Sequence, residues 1–319
     1  MKQTGRTVIA GGSGFLGQNL ARHLHREGRE VVVISRHSPE VNHPWSHATW
    51  DARTLGDWVR HVDGADALVN LAGRSVDCIK TPDHCDEILR SRVESTEVLG
   101  RSLENVNKLP RVWVQMSTAH RYGDPPDVVI DEGAAFGYGL APAVGAAWEE
   151  AFARVVPSRV RQVVLRTSFV LGRTGGALPT LAKLARWGLG GTVGHGRQGI
   201  SWIHEHDMNR LFAWAMDDDD AAGAYMATAP TPVSNAEFMR ELRGALRMPF
   251  GFPAMAWMVR LAAPLLLRTD PDLVLYGRYC ASRRLQAEGF EFQFPDVGSA
   301  LRDLVHPSGG ESVGERGSQ

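Results

Sequence analysis

Cysteine is scarce: Cys78, Cys85 and Cys280 are the only three in 319 residues. An odd number without C-x-x-C spacing sets up neither a disulfide framework nor a zinc site, and it fits a reducing cytoplasm. No uninterrupted apolar run reaches the ~20 residues that a bilayer demands, and the chain enters an apolar strand almost at once, so no signal peptide is expected. The nearest approach, Phe252–Leu267, is broken by Pro253, Arg260 and Pro264. It reads as a helix covering a substrate pocket or a subunit contact, with a position on a membrane surface as the weaker alternative. An excess of one charge is also missing. The formal net charge is -1 and no basic stripe interleaves with aromatics, which excludes nucleic acid as an expected partner. Asp217–Asp220 reads as a solvated acidic turn, because four consecutive carboxylates cannot converge on one ion; no metal is expected.

Glycine, by contrast, is concentrated where it carries information. Thr7-Val8-Ile9-Ala10-Gly11-Gly12-Ser13-Gly14-Phe15-Leu16-Gly17 reads as an apolar strand, a tight turn and a helix start. Gly11 serves the turn, Gly14 lets backbone approach a diphosphate, and Gly17 packs helix closely on strand, with Ser13 in the same turn. A diphosphate would sit on unsatisfied N–H groups at the helix N-terminus. The context supports a dinucleotide site: an amphipathic helix over Phe15–Arg26, Gly28 closing it at C′, and a second strand over Glu30–Ser35.

Strand and helix signals then alternate. A short helix is expected around Leu55–Val62, a strand at Asp66–Gly73 ending in a turn of small and polar residues, and a helix near Cys85–Asn105. A strand at Arg111–Met116, a helix around Ala143–Val155, a buried strand at Gln162–Leu165 and a last strand at Ala224–Ala227 follow. This alternation predicts an α/β fold, a Rossmann-type doubly wound parallel sheet with right-handed crossovers. Such sheets bind ligands beyond the carboxyl ends of their strands. From Thr174 the pattern changes to glycine-punctuated loops, and Pro249–Val305 looks mostly helical with a short β piece at Phe290–Phe294. Residues 1–173, with 200–230 returning to them, are expected to form the dinucleotide domain. Residues 174–199 and 231–306 are expected to form a smaller substrate-side lobe, and 307–319 a disordered tail.

The end of the second strand bears on the choice of cofactor. NAD-binding chains carry an acidic residue there for the ribose hydroxyls, whereas this chain has Ser35-Arg36. A guanidinium has the charge and forked donors to grip a 2′-phosphate, so NADP(H) is expected over NAD.

Together with the glycine turn, Asn70-Leu71-Ala72-Gly73 and Ser117-Thr118-Ala119-His120-Arg121-Tyr122-Gly123 make the chain resemble an extended or atypical short-chain dehydrogenase/reductase. In detail it is similar to the epimerase-like branch that bears a C-terminal segment of unknown role. Ser91-Arg92-Val93-Glu94-Ser95-Thr96, Trp148-Glu149-Glu150, Val164-Leu165-Arg166-Thr167, Trp202-Ile203-His204 with Asp207, and Arg284-Leu285 through Gly289-Phe290 and Pro295 match that branch. The resemblance extends to about Val305. It implies that Gly11, Gly14, Phe15 and Leu16 line the pyrophosphate, Arg36 the 2′-phosphate and Asp51 the adenine side. Leu71, Ala72 and Gly73 would pass beneath the adenine ribose and diphosphate, Arg92 and Arg166 would join the cofactor site, and Thr167, Ser168 and Phe169 would border the nicotinamide. Trp202, His204 and Asp207 would stand on the far wall facing the substrate lobe.

One absence limits what this family implies. Short-chain dehydrogenases pair a Ser or Thr with Tyr-x-x-x-Lys, the lysine lowering the tyrosine pKa. Thr118 matches the hydroxyl, four residues before Tyr122. The helix that should carry the pair contains Tyr138 with Pro142 four residues on, and no lysine occurs between Lys108 and Lys183. Shifting the register brings only Val144 or Gly145 to the lysine position. Tyr122, Tyr138 and His120 are therefore the candidate proton donors. His204, with Asp207 three positions on, His195 in a glycine-rich loop, and Arg197 as a holder of an anionic substrate group are further candidates, each with an ordinary packing or surface role as its alternative. The same two readings apply to Trp187, Trp202 and Trp257, as an aromatic wall or as core.

The leading expectation is a cytoplasmic NADP(H)-dependent oxidoreductase acting on a small or medium organic substrate. A non-redox epimerase, dehydratase or cyclase on the same scaffold, and an NADP(H)-sensing binding protein without turnover, are the alternatives. A homodimer through the long helices Cys85–Asn105 and Ala143–Val155 is common in the superfamily, although both would pack equally well inside a monomer.

Overall fold

The computed structural model describes residues 5–38, 42–124 and 129–306. Its centre is a sheet of seven strands, β1 (Thr7–Ala10), β2 (Val31–Ser35), β3 (Ser46–Thr49), β4 (Ala67–Asn70), β5 (Val112–Thr118), β6 (Arg161–Thr167) and β7 (Gly223–Ala227). All pairings are parallel and the order across the sheet is β7-β6-β5-β4-β1-β2-β3. The strand order therefore reverses between β1 and β4, and the crevice outside their carboxyl ends is where a doubly wound sheet takes a ligand.

Helices α1 (Phe15–Arg26) and α4 (Glu205–Asp217) cover one face of the sheet, and α2 (Pro82–Leu103) and α3 (Leu140–Val155) the other. The period-two geometry of a strand then sends successive side chains into different cores. Ile9, Val33 and Val114 meet Leu20, Leu24, Leu211 and Phe212 on one side. Val8, Leu68 and Trp113 meet Val98, Leu99 and Phe152 on the other. Burial on both faces is why β1 and β2 read as unbroken apolar runs rather than alternating ones. Helices α2 and α3 cross so closely that a Cβ on Gly100 would lie 2.3 Å from Cβ of Val155. Gly28 closes α1 with φ +79°; its N–H donates to the His25 carbonyl and the next N–H, of Arg29, to that of Leu24, a Schellman ending.

Five points differ from expectation. The edge strand β3 was not foreseen, because Ser-His-Ala-Thr is polar and its side chains are exposed or half-buried. Helix α2 begins at Pro82, where Thr81 Oγ1 accepts the His84 N–H, and α3 begins at Leu140. The short second helix shrinks to Val59–Val62. Residues 290–294 form no strand. Their backbone is held by Asp207, whose two carboxylate oxygens accept the N–H groups of Gln293 and Phe294 at 2.9 Å each. The tail expected beyond residue 306 lies outside the described residues.

The second lobe has its own core, in which Trp202, Phe238, Leu242, Val297 and Leu301 pack between the helices Asn235–Leu246 and Val297–Val305. Asp207 joins the lobe to the sheet domain from the first turn of α4, and it is fully buried. Asp207→Ala leaves two N–H groups without acceptors and is expected to cost about 3 kcal/mol, to be measured by urea unfolding monitored through tryptophan fluorescence.

Candidate functional site

The turn after β1 has the geometry that its glycines require. Gly11 adopts φ +75°, and a Cβ there would lie 2.6 Å from the Ala72 backbone nitrogen. At Gly17 the clash would be with Cα of Gly12, at 2.4 Å. At Gly14 the nearest atom is 3.8 Å away, so this glycine keeps the surface open and not the interior closed. Gly14 is also the N-cap of α1 and supplies no side-chain cap, which leaves first-turn N–H groups facing outward as an anion seat. Ser13 is exposed beside it, and Leu16 is half-buried. Gly12 was missed in the sequence: a Cβ there would sit 2.8 Å from Val33 Cγ1, so it packs the turn onto β2.

Phe15 ties the turn to the loop that follows residues 169–171. Added Cβ atoms would lie 2.1 Å from its ring at Gly172 and 2.2 Å at Gly175. Glycines that read in the sequence only as punctuation thus form a slot for this aromatic ring.

Across the crevice, Asn70 at the end of β4 is fully buried. Its amide donates to Thr96 Oγ1 and Gln115 Oε1, both at 3.1 Å, and its Oδ1 accepts the Ala72 N–H at 3.0 Å. Every polar atom is used, and the Leu71–Gly73 turn is fixed where it meets Gly11. Behind Gly73 lies Arg92, with its Cζ 3.1 Å from where a Cβ on that glycine would be. Arg92 donates to the Arg74 and Ile88 carbonyls and stacks over Trp148. Its burial pulls its pKa down to about 10.

At the end of β2, Ser35 is buried, with its hydroxyl shared between the His37 carbonyl and His47 Nε2. Arg36 projects into solvent, and among the described residues it has no acidic partner. Asp51 is occupied locally: its carboxylate accepts the N–H groups of Arg53 and Thr54 and the Thr54 hydroxyl. Hydrogen bonds from Thr54 lower its pKa to about 2, so it shapes a turn as a fixed anion.

The end of β5 differs most from expectation. Thr118 is half-buried, and its Oγ1 accepts the His120 N–H at 3.1 Å, leaving its own O–H to donate. Tyr122 turns inward. Its hydroxyl lies 2.6 Å from Arg166 Nη1 and donates to the Glu132 carbonyl, and burial raises its pKa. Arg166, expected in the cofactor site, is engaged by Glu149, which Nε and Nη2 bind at 3.0 and 2.8 Å. Arg121 and the Ser117 hydroxyl bind the same carboxylate. Burial alone would raise the Glu149 pKa, but these partners hold it below the usual value. Tyr138 is 99% exposed. One of the two positions that a shifted register would offer for lysine is closed: a Cβ on Gly145 would lie 2.9 Å from Arg121 Cβ and 3.2 Å from Thr118 Cγ2.

His120 remains beside Thr118. Burial, then the charges of Arg278 and Lys80, push its pKa well below the usual value, so it is a neutral imidazole. Neither cation was read from the sequence. Arg278 arrives from the second lobe, with its Nε donating to the Gly123 carbonyl at 2.6 Å. Lys80 precedes α2 and donates to the Val76 and Cys78 carbonyls. Its place just before a helix that starts near the ligand edge was the available signal.

The residues expected on the substrate side separate. Trp202 is in the lobe core, with its indole N–H donating to the Thr231 carbonyl. His204 caps α4 through Nδ1, stacks on Phe294, and has Asp303, not Asp207, 3.3 Å from Nε2. Both residues build structure. Arg197 and His195 are exposed, and His195 Nδ1 accepts the Arg197 N–H. Ser168 is half-buried beyond β6.

This fold and glycine turn define a class. The model of the NAD dependent epimerase/dehydratase family matches residues 7–227, and a domain of unknown function, DUF1731, matches 256–304. The chain belongs to the NAD dependent epimerase/dehydratase family, as an atypical short-chain dehydrogenase/reductase. Among individual proteins it is similar to the epimerase family protein SDR39U1 of Bos taurus, 32% identical over 305 residues, covering 94% of this chain and 99% of that one. The crystal structure of human SDR39U1 (isoform 2) with NADPH superposes with a TM-score of 0.84 at 28% identity, over 95% of this chain and 99% of that chain. An epimerase family protein of Staphylococcus aureus (strain MRSA252) is 26% identical over 307 residues, 93% of this chain and 98% of that one.

The buried imidazole of His204 gives the site's surroundings a pH signature. Burial lowers its pKa from 6.5 to about 4, so the unfolded chain takes up a proton first as the pH falls. Stability is full above about pH 6.5 and declines as the pH drops toward about 4, by on the order of 3 kcal/mol. Urea unfolding as a function of pH should show this decline, and His204→Gln should flatten it.

Proposed function

We propose that the chain is an NADP(H)-dependent oxidoreductase acting on a small or medium organic substrate held between the sheet's carboxyl edge and the second lobe. The observation that carries the reading is the pairing of an open glycine turn, Gly11 to Gly17, with Arg36, which is exposed and without an acidic partner among the described residues. The NADPH bound by the human relative supports it. The backbone of Gly11, Gly14, Phe15 and Leu16 would hold the diphosphate, and Arg36 the 2′-phosphate. Leu71, Ala72, Gly73 and Arg92 would hold the adenosine half and diphosphate, with Ser168 near the nicotinamide.

The bound cofactor would supply the hydride. Thr118 donates a hydrogen bond to the substrate carbonyl, since its oxygen already accepts from His120 and its O–H is free to point outward. The backbone N–H of His120 orients that hydroxyl, and the His120 imidazole, being neutral, is not a charged acid. With Tyr122 bound to Arg166 and Tyr138 in solvent, the proton reaches the product alkoxide from water at the open edge.

Fluorescence titration tests the cofactor assignment: NADPH should bind more tightly than NADH, and Arg36→Ala should weaken NADPH by about 10- to 100-fold while leaving NADH unchanged. Equal affinities would overturn it. NADPH oxidation with a panel of aldehydes and ketones tests turnover, and Thr118→Val should lower it about 100-fold without changing NADPH affinity. Tight NADPH binding with no oxidation by any carbonyl would favour the cofactor-sensing alternative, which the closed Gly145 position already makes physically reasonable.

A further inference from the structure

The second lobe carries an exposed apolar surface. Trp187 is 67% exposed, Trp257 64%, Leu265 71% and Leu266 78%, with Phe250, Phe252, Met255 and Leu261 exposed around them. The helix Ala256–Ala262 has no buried residue. For a helix in a folded domain this is unusual, since packing of an apolar face supplies most of a short helix's stability.

The surface is rigidly built. The Phe252 N–H donates to the Gly188 carbonyl at 2.7 Å, Gly191 N–H to that of Phe252 at 3.2 Å, and Ala254 N–H to that of Thr192 at 2.9 Å. Contact is so close that a Cβ on Gly191 would lie 2.3 Å from the Phe252 carbonyl oxygen. Two distant segments, one around Trp187 and one around Trp257, are thus joined edge to edge.

Charge decides what this face can meet. Residues 174–204 and 242–269 contain no aspartate or glutamate in a chain of net charge -1. Of their cations, Lys183, Arg186, Arg197, Arg247, Arg260 and Arg268 are exposed and Arg243 is half-buried, and Lys183 lies over the Trp187 ring. Asp270 and Asp272 follow the apolar stretch, and Asp272 is close enough to Arg260 to feel its charge, which leaves the other cations of the face without a carboxylate from these segments. A two-fold contact between copies through this face would bring arginines together with no carboxylate from either segment to neutralise them. An anionic bilayer satisfies both halves of the surface: lipid phosphates meet the guanidiniums, and Trp187, Trp257 and Leu265 enter the interfacial region. No helix among the described residues is long and apolar enough to cross a membrane, so the face would lie on the bilayer.

We propose that the apolar, basic face formed around Trp187 and residues 250–268 docks the protein on anionic lipid bilayers. This takes up the weaker of the two readings of Phe252–Leu267, a position on a membrane surface, and goes beyond the expectation of no membrane partner. Co-sedimentation of the full chain with vesicles tests it, using pure phosphatidylcholine and an equimolar mixture with phosphatidylglycerol. The chain should pellet with the mixed vesicles and not with phosphatidylcholine, and its tryptophan emission should shift to the blue. Arg186→Gln, Arg260→Gln and Arg268→Gln together should weaken partitioning by about fivefold per charge removed. Trp187→Ser with Trp257→Ser and Leu265→Ser should abolish it while leaving the circular dichroism melt unchanged, since these side chains are exposed. Wild-type protein remaining in the supernatant with mixed vesicles would overturn the proposal. So would equal pelleting of the apolar variant, or a dimer in sedimentation velocity that the same variant dissolves.

Discussion

The contact between Gly11 and the Leu71–Ala72 backbone is the constraint on which the site depends. Two turns from neighbouring parallel strands, β1 and β4, meet with less than a side chain's width between them. Only a residue without Cβ at φ +75° allows this, and only a fully bonded Asn70 keeps the facing turn in place. The consequence is a shallow floor at the topological switch point, flanked by the open N-terminus of α1. Gly12 and Gly17 press the same turn onto β2 and α1 from the other sides. The anion seat is therefore fixed before any ligand arrives, and little ordering cost remains for binding.

On the helix expected to carry the superfamily's acid/base pair, this chain has an ion-pair cluster. Glu149, on the helix that should carry the pair, binds Arg166, Arg121 and the Ser117 hydroxyl, and Arg166 in turn holds the Tyr122 hydroxyl. Breaking such a buried network by removing one member leaves an uncompensated charge, so its members are locked together. That locking commits the Tyr122 hydroxyl to Arg166 and the Glu132 carbonyl. Gly145 completes the arrangement, because helix α3 comes too close to Thr118 and Arg121 there for any side chain.

The sheet was legible because parallel strands buried on both faces leave continuous apolar runs, and the glycine turn because its spacing reports a backbone shape. The polar edge strand β3 carries neither signal. Residues 290–294 alternate in a way that suits a strand, but their N–H groups found a carboxylate, Asp207, in place of a partner strand; pattern reports which face is buried, not which acceptor is used. Among site residues, those defined by backbone geometry, Gly11, Gly14 and Leu71–Gly73, came together at one edge. Those that depend on where a side chain turns have partners the sequence does not disclose. Arg166, Tyr122, Trp202 and His204 were each claimed by a buried partner far away in sequence, and sequence spacing contains no information about Glu149, Glu132, Thr231 or Asp303 as partners. Lys80 and Arg278 were missed for the same reason, as their proximity to His120 exists only in the folded chain.

These added cations alter the electrostatic reading of the edge. A chain with net charge -1 gathers the α1 N-terminus, Arg36, Arg92, Lys80 and Arg278 around one crevice, with Asp124 4.0 Å from Arg278 as a partial counterweight. Low-dielectric walls concentrate such a field, favouring anions and disfavouring protonation of any base inside it. His120 shows the effect directly, because two neighbouring positive charges add to the desolvation that keeps its imidazole neutral. An imidazole in that field holds no second proton at neutral pH, whereas a hydroxyl loses nothing there. On the proposed reading, Lys80 and Arg278, whose charges reach His120, would favour negative charge developing beside Thr118, so that positive charge would come to this edge from the loop before α2 and from the second lobe and not from a lysine of α3.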